Sequence, residues 1–101
     1  MNKIESGYFE GSQSYEYYAL YAHGKFILKV NIDRDIYDFQ SSARTEMLTP
    51  EGWKFLYSIP YPEMETSIHN CSKYNKPECE SFMKKDEERL IGMSTILLES
   101  L

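Results

Sequence analysis

Cysteine is scarce in this chain of 101 residues: Cys71 and Cys79 stand alone. Two cysteines are too few for the disulfide framework of a small exported domain. Basic charge is also short, with 11 Lys and Arg against 16 Asp and Glu and a formal net charge of -5. A nucleic-acid binder normally shows a basic stripe, and only Lys25/Lys29 and the Lys84-Lys85 pair approach one here. No apolar run reaches the length of a membrane span. Met1 to Glu10 contains Glu5 and Glu10 rather than the apolar core of a signal peptide. These absences lead to an expectation of cytoplasmic residence, with a Cys71–Cys79 bridge left open for export by another route. A Gly-rich phosphate loop, HExxH, GxSxG and a dinucleotide fingerprint are missing as well.

What is present is ordinary globular composition, 42% hydrophobic and 27% charged, with aromatics at 15% and nine tyrosines. One domain with one modest core follows from the length. Tyr15 to Ile32 reads YEYYALYAHGKFILKVNI, rich in the β-branched and aromatic residues that fill a pleated surface. A two-residue turn at His23-Gly24 would oppose Tyr21 to Phe26, Ala19 to Leu28 and Tyr17 to Val30, with Gly24 at positive φ. Alternation then collects Tyr15, Tyr17, Ala19, Tyr21, Phe26, Leu28, Val30 and Ile32 on a core face. Glu16, Tyr18, Leu20, Ala22, Lys25, Ile27, Lys29 and Asn31 fall on the other face.

A second hairpin is expected across Ala43 to Ile59. Thr49-Pro50-Glu51-Gly52 suits a three-residue loop with a glycine bulge. That register puts Trp53 and Phe55 on the core face beside Met47, and Leu48 and Leu56 on the other. A short helix is the rival for Thr49–Ser58, with Thr49 as its cap and Pro50 at its first position. Residues 1–14 read as a flexible or loosely packed N-terminal arm leading into a single domain over 15–101. Pro60, Pro62, Asn70, Asn75 and Pro77 mark a long loop, with one short strand near Thr66–Ile68. Pro77 to Leu90 reads as helix, with Gly92 a candidate stop. Met93–Leu101 continues either as strand or as helix. The fold class is therefore α+β: a small antiparallel sheet built from two β-hairpins with a C-terminal helix packed against it.

The composition favours a small protein-interaction module, an accessory subunit, inhibitor or assembly component, that binds a protein partner or a second copy of itself. The expected surface is a tyrosine-rich sheet face or edge, and the face would hold Tyr18, Leu20, Ile27, Lys29, Leu48 and Leu56. No catalytic residue, metal or cofactor is assigned. The alternative is a small enzyme or ligand-binding protein with a loop pocket around His69, Cys71 and Tyr74. His69, Cys71 and Cys79 lack the close spacing of zinc ligands, and Cys79 equally suits packing as a small hydrophobe. A second alternative is nucleic-acid association through Lys25, Lys29, Arg44 and Lys54, which the acidic balance opposes. No membrane association is expected.

Overall fold

Alternating apolar and polar residues set the architecture of the chain, seen here in a computed structural model that describes residues 1–35, 41–60, 63–64 and 76–101. The elements are β1 (Asn2–Glu10), β2 (Ser14–His23), β3 (Phe26–Asp35), β4 (Ser42–Thr49), β5 (Gly52–Ile59) and α1 (Lys76–Glu99). The five strands form an antiparallel meander in the order β1-β2-β3-β4-β5. Helix α1 lies across β3, β4 and β5 on one side. The fold is thus a small α+β domain with the C-terminal helix packed on an antiparallel sheet. No helix among the described residues is long and apolar enough to cross a membrane.

The central hairpin forms with a shifted register. His23 pairs with Phe26, so Gly24-Lys25 is the turn, and Tyr21 faces Leu28, Ala19 faces Val30 and Tyr17 faces Ile32. Gly24 has φ of +58°, at the first central position, where a Gly-X hairpin turn needs it. The expected turn had glycine at the second position. The displacement is two residues, and side chains alternate with period two, so every face assignment survives. Tyr15, Tyr17, Ala19, Tyr21, Leu28, Val30 and Ile32 are buried, and Phe26 packs half-buried at the rim. Arg34 continues that face and is fully buried with them.

The second hairpin requires a correction. Thr49 pairs with Gly52, Leu48 with Trp53 and Glu46 with Phe55, but Thr45 pairs with Tyr57 and Ala43 with Ile59. Leu56 therefore has no counterpart in β4: the extra residue sits in mid-strand instead of at Gly52. A bulge reverses the faces on one side of it. Trp53 and Phe55 accordingly point away from the helix, 36% and 66% exposed, and Trp53 is not a core anchor. Thr49 Oγ1 steadies the turn, accepting from Glu51 N at 3.2 Å and donating to Gly52 O at 2.8 Å.

Residues 1–14, read from the sequence as a loose arm, contain β1. It pairs along β2 from Asn2↔Ala22 to Glu10↔Tyr15, with a register shift between Lys3 and Glu5 that leaves Ile4 as its extra residue. Helix α1 passes through Gly92 and takes in Met93 to Glu99. Its buried stripe is Cys79, Met83, Asp86, Glu87, Leu90, Ser94 and Leu98, three and four residues apart as a packed helix requires. Thr45 and Ser94 hydroxyls meet at 2.7 Å where the helix crosses β4. The expected strand near Thr66–Ile68 lies outside the described residues.

Three stability outcomes follow. Leu28 is fully buried, so Leu28→Ala should lose about 2–5 kcal/mol, whereas Trp53→Ala should lose less than about 1.5 kcal/mol. Urea unfolding followed by circular dichroism checks the pair; a larger loss at Trp53 would contradict the bulge at Leu56. Gly92 lies inside α1 with open space where a methyl group would project, so Gly92→Ala should raise stability by about 0.5–1 kcal/mol in the same assay.

Candidate protein-interaction face

Each side of the sheet carries a different chemistry, and cross-strand pairing lays both out. On the side away from α1, one row reads Glu5–Leu20–Lys29–Glu46–Phe55. The next, toward the Phe9 end, reads Gly7–Tyr18–Asn31–Arg44–Ser58, and beyond it lies Phe9–Glu16–Asp33–Ser42. Toward the opposite end come Ala22, Ile27, Leu48 and Trp53. Phe9, Leu48, Trp53 and Phe55 are exposed on this side.

Two local arrangements shape the face. Lys29 Nζ sits 4.7 Å from the Trp53 ring centroid, a cation–π contact that holds the ammonium over the aromatic corner. At the other corner the Tyr18 ring lies across Gly7, where an added Cβ would stand 2.9 Å from Tyr18 Cε1. Glycine thus makes room for the ring to cross the edge strand. Tyr18 stacks on Phe9 at 5.7 Å and donates its hydroxyl to Glu5 at 2.6 Å, a hydrogen bond that holds the phenol proton and raises its pKa. Asn31 Nδ2 donates to Glu46 at 3.1 Å. A cleft of about 250 Å³ opens beside the rings, lined by Phe9, Glu16, Tyr18, Lys29, Asn31 and Asp33.

Of the six residues expected to form an interaction face, Tyr18, Leu20, Ile27, Lys29 and Leu48 share this side. Leu56, the bulge residue, packs instead against the core cluster. Trp53 and Phe55 take its place, and Phe9 joins from β1. The bulge has no local residue signal in SARTEMLTPEGWKFLYSI, so the sequence hides Trp53 and Phe55; Phe9 falls within the stretch that reads as an arm. The basic set does not gather. Lys29 and Arg44 lie on this face, but Lys54 pairs with Met47 on the opposite side and Lys25 occupies the turn. Glu5, Glu16, Asp33 and Glu46 accompany Lys29 and Arg44 there. His69, Cys71 and Tyr74 lie outside the described residues. Among the described residues no three His, Cys, Asp or Glu side chains are grouped to hold a metal ion.

The helix side is bound up internally. Glu87, buried on α1, accepts hydrogen bonds from Tyr17 at 2.8 Å and Tyr21 at 2.6 Å, and pairs with Lys3 of β1 at 3.2 Å. Lys3 Nζ also reaches Tyr17 Oη at 2.9 Å. Tyr8 covers this cluster, 5.4 Å from Tyr15 and 4.8 Å from Tyr17. Burial pushes the Tyr8 phenol up to about 12, helped by the charge of Glu80. Burial also raises Tyr21 and Tyr17, as does the Glu87 carboxylate that accepts their hydrogen bonds. Burial pulls Lys3 down, but its bond to Tyr17 and the Glu87 charge outweigh it and leave Lys3 raised.

All these groups hold their protons more tightly folded than unfolded. Their contribution is complete below pH of about 10 and is lost as pH rises beyond it. Thermal melts from pH 8 upward should show stability falling above about pH 10, and the slope should flatten in Tyr17→Phe/Tyr21→Phe. An unchanged slope in that variant would sever the cluster from alkaline unfolding. No family model, curated protein or solved structure matches the chain, so its own residues carry its functional assignment.

Proposed function

We propose that this chain is a protein-interaction domain that docks a protein partner on the open face of its sheet, as an accessory subunit, inhibitor or assembly component. The observation that carries the reading is the exposure of Phe9, Leu48, Trp53 and Phe55 on the side that α1 leaves uncovered. Soluble domains rarely leave neighbouring large apolar side chains in water without a use for them, and aromatic residues with a charged rim are typical of protein interfaces. Leu48 and Trp53 are cross-strand neighbours, and Phe55 follows two residues along β5. Lys29 and Glu46 flank them on the inner side, giving an apolar corner with a charged border.

The face is preferred to an edge. Both edge strands carry a bulge, at Ile4 in β1 and Leu56 in β5, and bulges discourage another strand from pairing there. Nucleic acid is a poor fit, because Lys54 lies on the other side and Glu5, Glu16, Asp33 and Glu46 share the face with Lys29 and Arg44. A cytoplasmic setting belongs to the same proposal.

A photo-crosslinking residue placed at Phe55 tests it in cells of the source organism. Irradiation should give a discrete adduct that is lost in the Leu48→Ser background, while the same crosslinker at Lys84, exposed on α1, gives none. An adduct of twice the 11.9 kDa chain mass identifies the partner as a second copy. Equal adducts from both positions, or none from Phe55, would overturn the reading.

A further inference from the structure

We propose that the cleft between the Phe9 and Tyr18 rings and the Glu16 and Asp33 carboxylates receives an arginine side chain of the partner. This deepens the docking reading above and rests on it. Four features converge there. Glu16 and Asp33 are direct cross-strand partners on β2 and β3, a like-charge pairing that weakens a sheet unless a cation joins it. Neither forms an ion pair among the described residues. Asp33 Oδ1 is buried with no hydrogen-bond partner there, an arrangement that native structures seldom keep without reason. The one lysine lining the cleft among the described residues, Lys29, has its ammonium drawn to Trp53 instead.

The aromatic wall supplies the second half of the site. Phe9 and Tyr18 are stacked with an interplanar angle of 24°, and Tyr18 is fixed by the Gly7 gap and its bond to Glu5. A guanidinium is planar, stacks on ring faces and offers a fork of donors to two carboxylates at once. An ammonium can sit over a ring, as Lys29 does over Trp53, but it is a point charge without the planar fork. The cleft volume of about 250 Å³ lies below the ~300–1,000 Å³ of small-molecule pockets and suits one inserted side chain. Burial holds the Asp33 carboxyl above its ordinary range, aided by the charges of Glu16 and Asp35. The paired carboxylates therefore carry a charge penalty that an arriving cation relieves.

The probe is N-acetyl-arginine amide, titrated into the full ¹⁵N-labelled chain, with N-acetyl-citrulline amide as the uncharged isostere. Arginine amide should give saturable amide shifts at Phe9, Glu16, Tyr18 and Asp33, with affinity at least about tenfold above citrulline amide. Glu16→Gln and Asp33→Asn should each weaken it by about tenfold, while Glu51→Gln, in the distant β4–β5 turn, leaves it unchanged. Asp33→Asn removes the like-charge pairing, so its melting temperature at pH 7 should equal or exceed that of the parent chain, which shows that lost binding is not lost folding. Equal shifts from citrulline amide, or retention of binding in Asp33→Asn, would overturn the site. Absent arginine binding with the Phe55 crosslink intact overturns the arginine pocket alone; a lost crosslink with arginine binding intact overturns the apolar docking corner instead.

Discussion

A single helix cannot roof a five-stranded sheet. Strands lie about 4.8 Å apart, so the sheet is about 19 Å wide between its outer axes, whereas a helix with its side chains is about 10 Å across. Helix α1 sits over β3, β4 and β5, and the same side of β1 and β2 must be covered by something else. Tyr8, Tyr15, Tyr17 and Tyr21 cover it. A tyrosine is long enough to lean across this gap, and its hydroxyl ends on a partner instead of in an apolar layer. Tyr17 and Tyr21 end on Glu87, and Tyr15 reaches Glu80 at 3.4 Å. Much of the tyrosine surplus is thereby absorbed as roofing. Of the described tyrosines only Tyr18 stands on the open side.

Among the described residues no helix or strand covers the open side. Its two corners differ. Leu48, Trp53 and Phe55 form an apolar corner, and Phe9, Tyr18, Glu16 and Asp33 form an aromatic and acidic one. Lys29 and Arg44 lie between. A surface with unlike corners fixes the orientation of whatever docks on it, because turning the partner around brings apolar groups against charge. This supports the docking reading more strongly than exposure alone, since a face exposed only by neglect has no reason to be sorted.

How much of this is readable in the sequence depends on which error each strand allows. Residue types alone put the β2–β3 hairpin two residues out of register, and the core face is still right, because a slip of two keeps parity. In β5 a single extra residue at Leu56 inverts Trp53 and Phe55, and no residue type announces a bulge in mid-strand. The large tryptophan makes the core assignment attractive; side-chain size alone does not decide which face a residue takes. Strand β1 escapes because Gly7, Gly11 and the serines read as loop signals. Gly7 in fact lies in the strand and leaves room for Tyr18. Gly92 misleads in the same way at the helix end, where Leu90, Ser94 and Leu98 have enough packing to carry the helix past one unfavourable residue.

The two bulges unite the fold with the docking argument. An open meander has two edges, and each presents unpaired backbone groups to any passing strand. Here β1 bulges at Ile4 and β5 at Leu56, so the extra residue interrupts a regular ladder on both sides of the sheet. At β5 the position of the bulge does a second thing: it sets Trp53 and Phe55 on the open side instead of the core side. A bulge in mid-strand thus makes the edge a poorer template for strand pairing and, because it does not sit at Gly52, leaves Trp53 and Phe55 on the open face. Removing Leu56 would straighten the edge but leave Phe55 opposite Glu46 and Trp53 opposite Leu48, so the aromatic corner would stay on the open side. The exposed apolar corner and the protection of the edge both follow from the bulge lying in mid-strand.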